Sequence, residues 1–346
     1  MTFRYIGSKA RIVDALADHI GPPTAGGRFI DLFCGTGVVA LAAARMGWDI
    51  HLNDHLHSAV IMAAGRLIAT KQARFAKIGG YEAAIAKLNA LVPRKGFVYR
   101  EYSPASLTRL GFERRYFTAA NAGRIDAMRH LITKWDEDGQ ITQSEKTLLI
   151  ADLLSATNRV ANIAGTYGCF LSKWQPQALE RISLRPRTLL NGTGSVTVSV
   201  SDAQLVRVNE EDLVYIDPPY TKRQYAAYYH ILETVAIGDQ PTVCGVTGLR
   251  PWEAKASDFC YRRKALGAFE NLIGKLESER ILISYSDNAH VAIDVLTHSM
   301  SRFGSVIPTP LMAIGRYRPN QTASVGEANV IEYLIEVQRQ ELRVAA

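Results

Sequence analysis

A chain of 346 residues, 47% of them hydrophobic and 21% charged, has core enough for one large globular body or two domains. No apolar run approaches the roughly 18 residues of a membrane helix, and the opening Met1-Thr-Phe-Arg-Tyr-Ile-Gly-Ser-Lys9 lacks the apolar stretch of a secretory signal. A soluble, cytoplasmic protein without membrane association is expected. The cysteines, Cys34, Cys169, Cys244 and Cys260, form no Cys-x-x-Cys pair and have no histidine at ligand spacing, which argues for reduced thiols and against a disulfide framework or a metal site.

The formal charge of +7 is unevenly spread. Residues 55–201 hold 20 of the 40 Lys/Arg and 10 of the 33 Asp/Glu, a net of +10, which leaves the remainder at −3. Positive charge gathered in one contiguous stretch suits a polyanionic partner, because each neutralised phosphate releases counterions. A solvated helical surface is the plainer alternative.

In chain order, residues 10–20 have helical periodicity and stop at Gly21-Pro22-Pro23. Residues 28–33 read as an apolar strand, followed by Gly35-Thr36-Gly37, an alanine-rich helix over 38–46 and a strand over 48–52 that ends at Asn53-Asp54. This strand–glycine turn–helix–strand unit is of the parallel α/β kind. From 55 to about 190, helical stretches near 56–69, 82–91, 112–135 and 143–160 alternate with Gly-rich or basic loops. Strand patterning returns at 196–200 and 213–216, and a charged segment spans about 238–260. A helix (262–276), a strand (281–285), a helix (289–302) and an apolar strand (330–337) follow. The reading is an α/β sheet interrupted by a basic, largely helical insertion.

Two motifs carry chemistry. Asp31-Leu-Phe-Cys-Gly-Thr-Gly37 closes the first strand, where Gly35 and Gly37 let the backbone approach a ligand and Asp54, ending the next strand, can accept from a ribose diol. Gly35-x-Gly37-x-x-Ala40 also fits a dinucleotide fingerprint, so a nicotinamide enzyme stays open at this point. Against it, Asp31 precedes the glycines, where it could hold a cationic amino acid group, and no third glycine opens the helix. The second motif, Asp217-Pro218-Pro219-Tyr220, follows the strand 213–216. Its prolines fix the backbone and remove two donors, leaving carbonyls free to accept. A carboxylate beside a free carbonyl can take both N–H groups of an aromatic amine and turn its lone pair toward an electrophile, while Tyr220 offers an aromatic face. A rigid turn is the alternative for either motif alone; both together at strand ends point to a site.

With these motifs the sequence resembles the Dam-type family of adenine-specific DNA methyltransferases, particularly the methyltransferases of restriction–modification systems, over nearly its whole length. Tyr5, Gly7, Ser8 and Lys9 resemble the family's N-terminal cofactor segment. Asp31, Phe33, Cys34, Gly35 and Gly37 resemble its cofactor glycine motif, Asp54 its ribose acid and Asp202 the acid that reads the cofactor's adenine. Asp217, Pro218, Pro219 and Tyr220 match its catalytic motif. The stretch from Asn158 to Trp174 resembles the segment that approaches DNA, which makes Asn162, Tyr167, Lys173 and the nearby Arg185 candidate DNA contacts. Lys222, Arg223 and Tyr225 fall in a stretch similar to the loop that closes on the flipped base. His230, on the following helix, reads as structural, since the chemistry needs no histidine.

The resemblance implies a Rossmann-like, S-adenosylmethionine-dependent methyltransferase sheet with a helical target-recognition insertion. The catalytic domain would comprise 1–54 and 195–346 and the insertion 55–194. It implies methyl transfer to the 6-amino group of an adenine flipped out of double-stranded DNA, without a metal, and makes a cognate restriction endonuclease a candidate partner. Cytosine-amino or RNA-adenine transfer would keep the fold; Asp217 favours adenine, because cytosine enzymes of this kind more often carry Ser there. A DNA-binding protein with a non-catalytic cofactor site is the rival from another class.

Overall fold

The computed structural model describes residues 6–7, 9–192, 194–314 and 330–339. The chain divides into a helical unit (Met1–Ile6, Leu56–Gly192, Tyr225–Lys255) and a sheet unit (Gly7–His55, Thr193–Gln224, Ala256–Ala346).

Among the described residues the sheet unit has seven strands: β1 Arg28–Asp31, β2 Asp49–Asp54, β3 Val196–Val200, β4 Leu213–Ile216, β5 Arg280–Ser286, β6 Ser305–Ile314 and β7 Val330–Gln338. Their order is β3-β2-β1-β4-β5-β7-β6. The first five are mutually parallel, and β7 runs antiparallel to both its neighbours. The central strand β4 is buried throughout, as a parallel strand covered on both faces must be. Helix Ala265–Lys275 turns Ala268, Phe269, Leu272 and Ile273, one helical stripe, into a core with Ile30, Val214, Ile216, Ile281 and Ile283. The α/β sheet read from the sequence is the fold.

Winding reverses between β1 and β4: β2 and β3 extend one way, β5, β7 and β6 the other. Such a reversal leaves a crevice at the carboxyl ends of the two central strands. Asp31 is the last residue of β1 and pairs in register with Tyr215, which brings the end of β1 to within two residues of the register of Asp217, just beyond β4.

Strand β6 is absent from the sequence reading. It carries Pro308 and Pro310, which cannot donate to a ladder, and the register shifts between Pro310 and Met312. Among the described residues it is the last strand of the sheet, an edge position where proline is tolerated.

The helical unit packs His57–Arg66, Ala119–Glu137, Gln143–Arg159 and His230–Ile237 around one core that includes Ile125, Met128, Leu149, Leu153, Ile231 and Leu232. A capping box of Thr142 and Glu145 starts the helix Gln143–Arg159. Tyr225–Lys255 belongs to this unit, whereas the sequence reading keeps that stretch with the sheet; helix His230–Ile237 buries Ile231, Leu232 and Val235 in the helical core. His230 is buried beside the Tyr167 carbonyl, 3.1 Å from Nε2, and burial lowers its pKa to about 4. Among the described residues no helix is long and apolar enough to cross a membrane.

Glu233 is a buried acid of this unit that several donors converge on. Its carboxylate accepts from the His57 and Ser58 amides at 3.1 and 2.9 Å, capping helix His57–Arg66, and from His57 Nδ1 and Lys255 Nζ at 3.0 and 2.9 Å. Burial alone would raise its pKa; these donors outweigh burial and bring it from 4.5 down to about 2. A folded-state pKa below the unfolded one stabilises above the unfolded value, and that stabilisation is lost as pH falls from about 4.5 toward 2. Glu233→Gln is therefore expected to cost about 2–3 kcal/mol at pH 7 in urea unfolding followed by circular dichroism. The gap from the parent should narrow near pH 3, and a gap independent of pH would contradict the assignment.

Candidate active site

The Asp217–Tyr220 motif begins where β4 ends. Pro218 is buried, and no hydrogen bond among the described residues reaches its carbonyl. By contrast, the Pro219 carbonyl takes the Cys260 thiol at 3.6 Å. The Tyr220 carbonyl accepts the His290 amide at 3.1 Å, and the Tyr220 ring packs edge-on to Tyr285, centroids 5.4 Å apart. Gln224, closing the loop, exchanges two hydrogen bonds with the Ser257 backbone. The motif is thus braced from two sides while one carbonyl is left open to accept.

Lys9 sits on this motif. Its ammonium is 3.0 Å from Asp217 Oδ1, donates to Tyr220 Oη at 3.2 Å and lies 5.2 Å from the Tyr220 ring centroid. Burial disfavours the lysine's charge, but Asp217, Tyr220 and Glu332 together outweigh it and hold the pKa well above the ordinary lysine value. Burial likewise pushes Asp217 up to about 6, against the pull of Lys9.

At the end of β1, Asp31 is buried, and its Oδ1 has no hydrogen-bond partner among the described residues. Burial first and Asp217 second hold Asp31 well above the usual carboxylate range. A buried acid in that condition is satisfied by a cationic group. The turn that follows carries Gly35 at φ 48° and Gly37 at φ 71°, both left-handed. Asp54, at the end of β2, accepts the Gly35 amide at 3.1 Å. Cys34 is buried with its amide on the Asn53 carbonyl at 2.9 Å, and burial raises its thiol. Phe33 is half-buried, edge-on to Phe259 at 5.5 Å. Asp202, beyond β3, is exposed; it accepts the Gln204 amide at 2.9 Å and lies 3.8 Å from His55 Nε2. Gly7 is in a left-handed turn at φ 76°, whereas Tyr5 and Ser8 lie outside the described residues. No cluster among the described residues has the donors for a metal ion. An unsatisfied buried acid, a glycine turn and a second acid on that turn fit a ligand bearing positive charge and a sugar.

Residues 5–295 match the model of the D12 class N6 adenine-specific DNA methyltransferases. The chain belongs to this family. Among curated relatives it is 34% identical over 291 residues to the type II methyltransferase M.FokI of Planomicrobium okeanokoites, covering 82% of this chain and 44% of that one. It is 30% identical over 345 residues to the modification methylase StsI of Streptococcus sanguinis, covering 97% and 52%. With the type II methyltransferase M.NlaIII of Neisseria lactamica it shares 32% identity over 305 residues, covering 87% and 88%. The chain thus spans about half the length of the first two relatives and most of the third.

In this D12-class chain the candidate DNA contacts separate into two groups. Lys173, Arg185, Lys222 and Arg223 are exposed. Asn162 and Tyr167 are not: both are fully buried. Asn162 donates to the Arg115 and Leu171 carbonyls at 3.0 and 2.9 Å and accepts the Gln175 amide at 3.0 Å. The Tyr167 hydroxyl donates to Asn158 Oδ1 at 3.2 Å. The expectation of direct contact is corrected for these two, which shape the loop that presents Lys173. Tyr225 is half-buried; its hydroxyl donates to the Ile6 carbonyl at 3.0 Å, so in the helical unit it anchors Ile6.

Sequence reasoning also missed residues around the motif. Glu332 of β7 reaches Lys9, and Cys260, His290 and Ser257 brace the Asp217–Gln224 loop. An acid inside the otherwise apolar Val-Ile-Glu332-Tyr-Leu-Ile was the available signal for the first. Nothing in the local sequence marks the others, because they act from segments remote in sequence from the motif.

Proposed function

We propose that this chain transfers a methyl group from S-adenosylmethionine to the 6-amino group of an adenine flipped out of double-stranded DNA. The observation that carries the reading is the open Pro218 carbonyl beside the Lys9-held Asp217 carboxylate, at the same strand ends as the unsatisfied Asp31. S-adenosylmethionine supplies an electrophilic methyl on a positively charged sulfur. Asp31 would hold its cationic portion, the Gly35–Gly37 turn would admit its backbone-hugging part, and Asp54 and Asp202 would take ribose and adenine. Asp217 and the Pro218 carbonyl accept the two N–H groups of the target base, which draws the nitrogen lone pair out of conjugation with the ring. Tyr220 supports the base, and bracing of the loop keeps both acceptors aligned as the reaction proceeds.

Incubation with radiolabelled S-adenosylmethionine and duplex DNA, followed by digestion to nucleosides, tests this. Label in N6-methyladenine supports it; label in N4-methylcytosine would move the target, and no incorporation would sink the reading. The similarity to type II methyltransferases and a modification methylase extends the proposal to a cytoplasmic restriction–modification role with a cognate endonuclease as partner.

The helical unit is the proposed docking surface for DNA. Lys173 and Arg185 are exposed there, and the charge of Arg159 is disfavoured first by burial and then by the nearby Arg185. Like-charged guanidiniums in proximity are relieved by phosphate. Replacing Lys173 and Arg185 by Gln should lower the slope of log affinity against log salt by about one per lost phosphate contact. Lys275 of the sheet unit, whose ammonium donates to Gln204 at 2.8 Å, is the control. Equal changes for both would end the docking assignment.

A further inference from the structure

The Lys9 ammonium lies between two carboxylates: Asp217 Oδ1 at 3.0 Å and Glu332 Oε2 at 3.5 Å. Glu332 stands near the start of β7, in register with Ser286 at the end of β5. Because β7 is antiparallel to β5, its first residues arrive at the same edge of the sheet as the ends of the parallel strands. Glu332 Oε2 is buried and accepts no hydrogen bond among the described residues. A buried carboxylate oxygen without a donor is destabilising, and Lys9 is the cation that offsets it.

We propose, on the basis of the methyl-transfer reading above, that Glu332 is a positioning residue for that reaction. It holds the far side of the Lys9 ammonium, so that Lys9 steadies the Asp217 carboxylate while Asp217 keeps the electron density an incoming amino group must find. With Glu332 neutral, the full lysine charge would fall on Asp217, making it a weaker acceptor. The charged and titratable groups around Asp217 are Lys9 from the N-terminal turn, Asp31 of β1, Tyr215 of β4, Tyr220 of the motif and Glu332 of β7. Of these Lys9 favours the Asp217 carboxylate and Glu332 opposes it.

The test uses the full chain with Glu332→Gln and Glu332→Asp, each checked for folding by thermal melting. In E332Q, kcat at neutral pH should fall roughly three- to tenfold, and KM for S-adenosylmethionine should change little. The acid limb of kcat/KM should move down by roughly half to one pH unit, and E332D should recover part of both. A residue with a merely structural role would leave the acid limb in place, and that outcome overturns the proposal. Carbon-13 NMR titration of labelled aspartates, with the Asp217 signal assigned by D217N, reads the same coupling without turnover. An Asp217 midpoint unmoved in E332Q overturns the proposal even if the enzyme is active. A moved midpoint in a chain that methylates nothing overturns the methyl-transfer reading instead. Should E332Q not fold, E332D answers alone: withdrawing the carboxylate by one methylene must move the midpoint in the same direction by less, and no movement overturns the proposal.

Discussion

Asp217→Asn is expected to lower methyl transfer at least about a hundredfold while leaving S-adenosylmethionine affinity within a few fold. The size follows from losing a charged acceptor in a dry, preorganised site, where one such contact is worth about two to three orders of magnitude in rate. Asn keeps the shape but turns one of its two acceptor atoms into a donor, which would face an N–H group of the base. It also leaves Lys9, buried and 3.0 Å from Asp217, with one fewer counter-charge. The same carboxylate sets a pH dependence. Burial pushes Asp217 up to about 6 against Lys9, and the protonated acid cannot accept at both oxygens. Activity therefore belongs to the deprotonated form: kcat/KM should be level above neutrality and fall with decreasing pH through about 6. Near-normal turnover by D217N would remove Asp217 from the chemistry. A profile flat from pH 5 to 8 in the parent enzyme would show that another group limits the rate.

The parts of this site that were legible in the sequence are those packed into contiguous motifs. Asp31 to Gly37 and Asp217 to Tyr220 declare themselves because a strand end, a required φ and a proline pair are local constraints, readable within seven residues. The sheet followed for the same reason: strands 28–33, 48–52 and 213–216 stand next to their turns. What was not legible is produced by topology. Glu332 follows the Asp217–Tyr220 motif by more than a hundred residues and reaches Lys9 because β7 enters the sheet antiparallel beside β5. Strand β6 hid behind two prolines that its edge position tolerates. Asn162 and Tyr167 looked like contacts because polar and aromatic residues in a loop serve equally well to fold it. Their hydrogen bonds to Arg115, Leu171 and Asn158 are long-range or loop-closing, and residue type alone does not distinguish them from contacts to DNA.

Gly37→Val is expected to raise the dissociation constant for S-adenosylmethionine roughly ten- to a hundredfold, measured by calorimetry on a variant that circular dichroism shows to be folded. Gly37 is the N-cap of helix Val38–Arg45 at φ 71° and ψ 25°, and its amide donates to the Cys34 carbonyl at 2.7 Å. An L side chain in this left-handed conformation costs about 1–2 kcal/mol, and a β-branched one is the least tolerated. The backbone is expected to relieve that strain by shifting the turn that joins Asp31 to the helix, and Asp54 is fastened to the same turn through the Gly35 amide at 3.1 Å. A shift there moves the proposed ribose acid and the approach to Asp31 together, and a displacement worth 1.4 kcal/mol is a tenfold change in affinity. Strain alone could lower stability without touching a ligand, so the variant needs a partner that carries the strain elsewhere. Gly47 lies in the turn after the same helix at φ 98°, and a Cβ added there would have Pro23 Cγ, at 3.7 Å, as its nearest neighbour. Gly47→Val should therefore lower the melting temperature and leave affinity near that of the parent. If the two variants weaken binding equally, the loss is one of folding and the turn makes no special approach to the cofactor. If neither does, the glycine motif is a structural turn and the cofactor must be sought at another strand end.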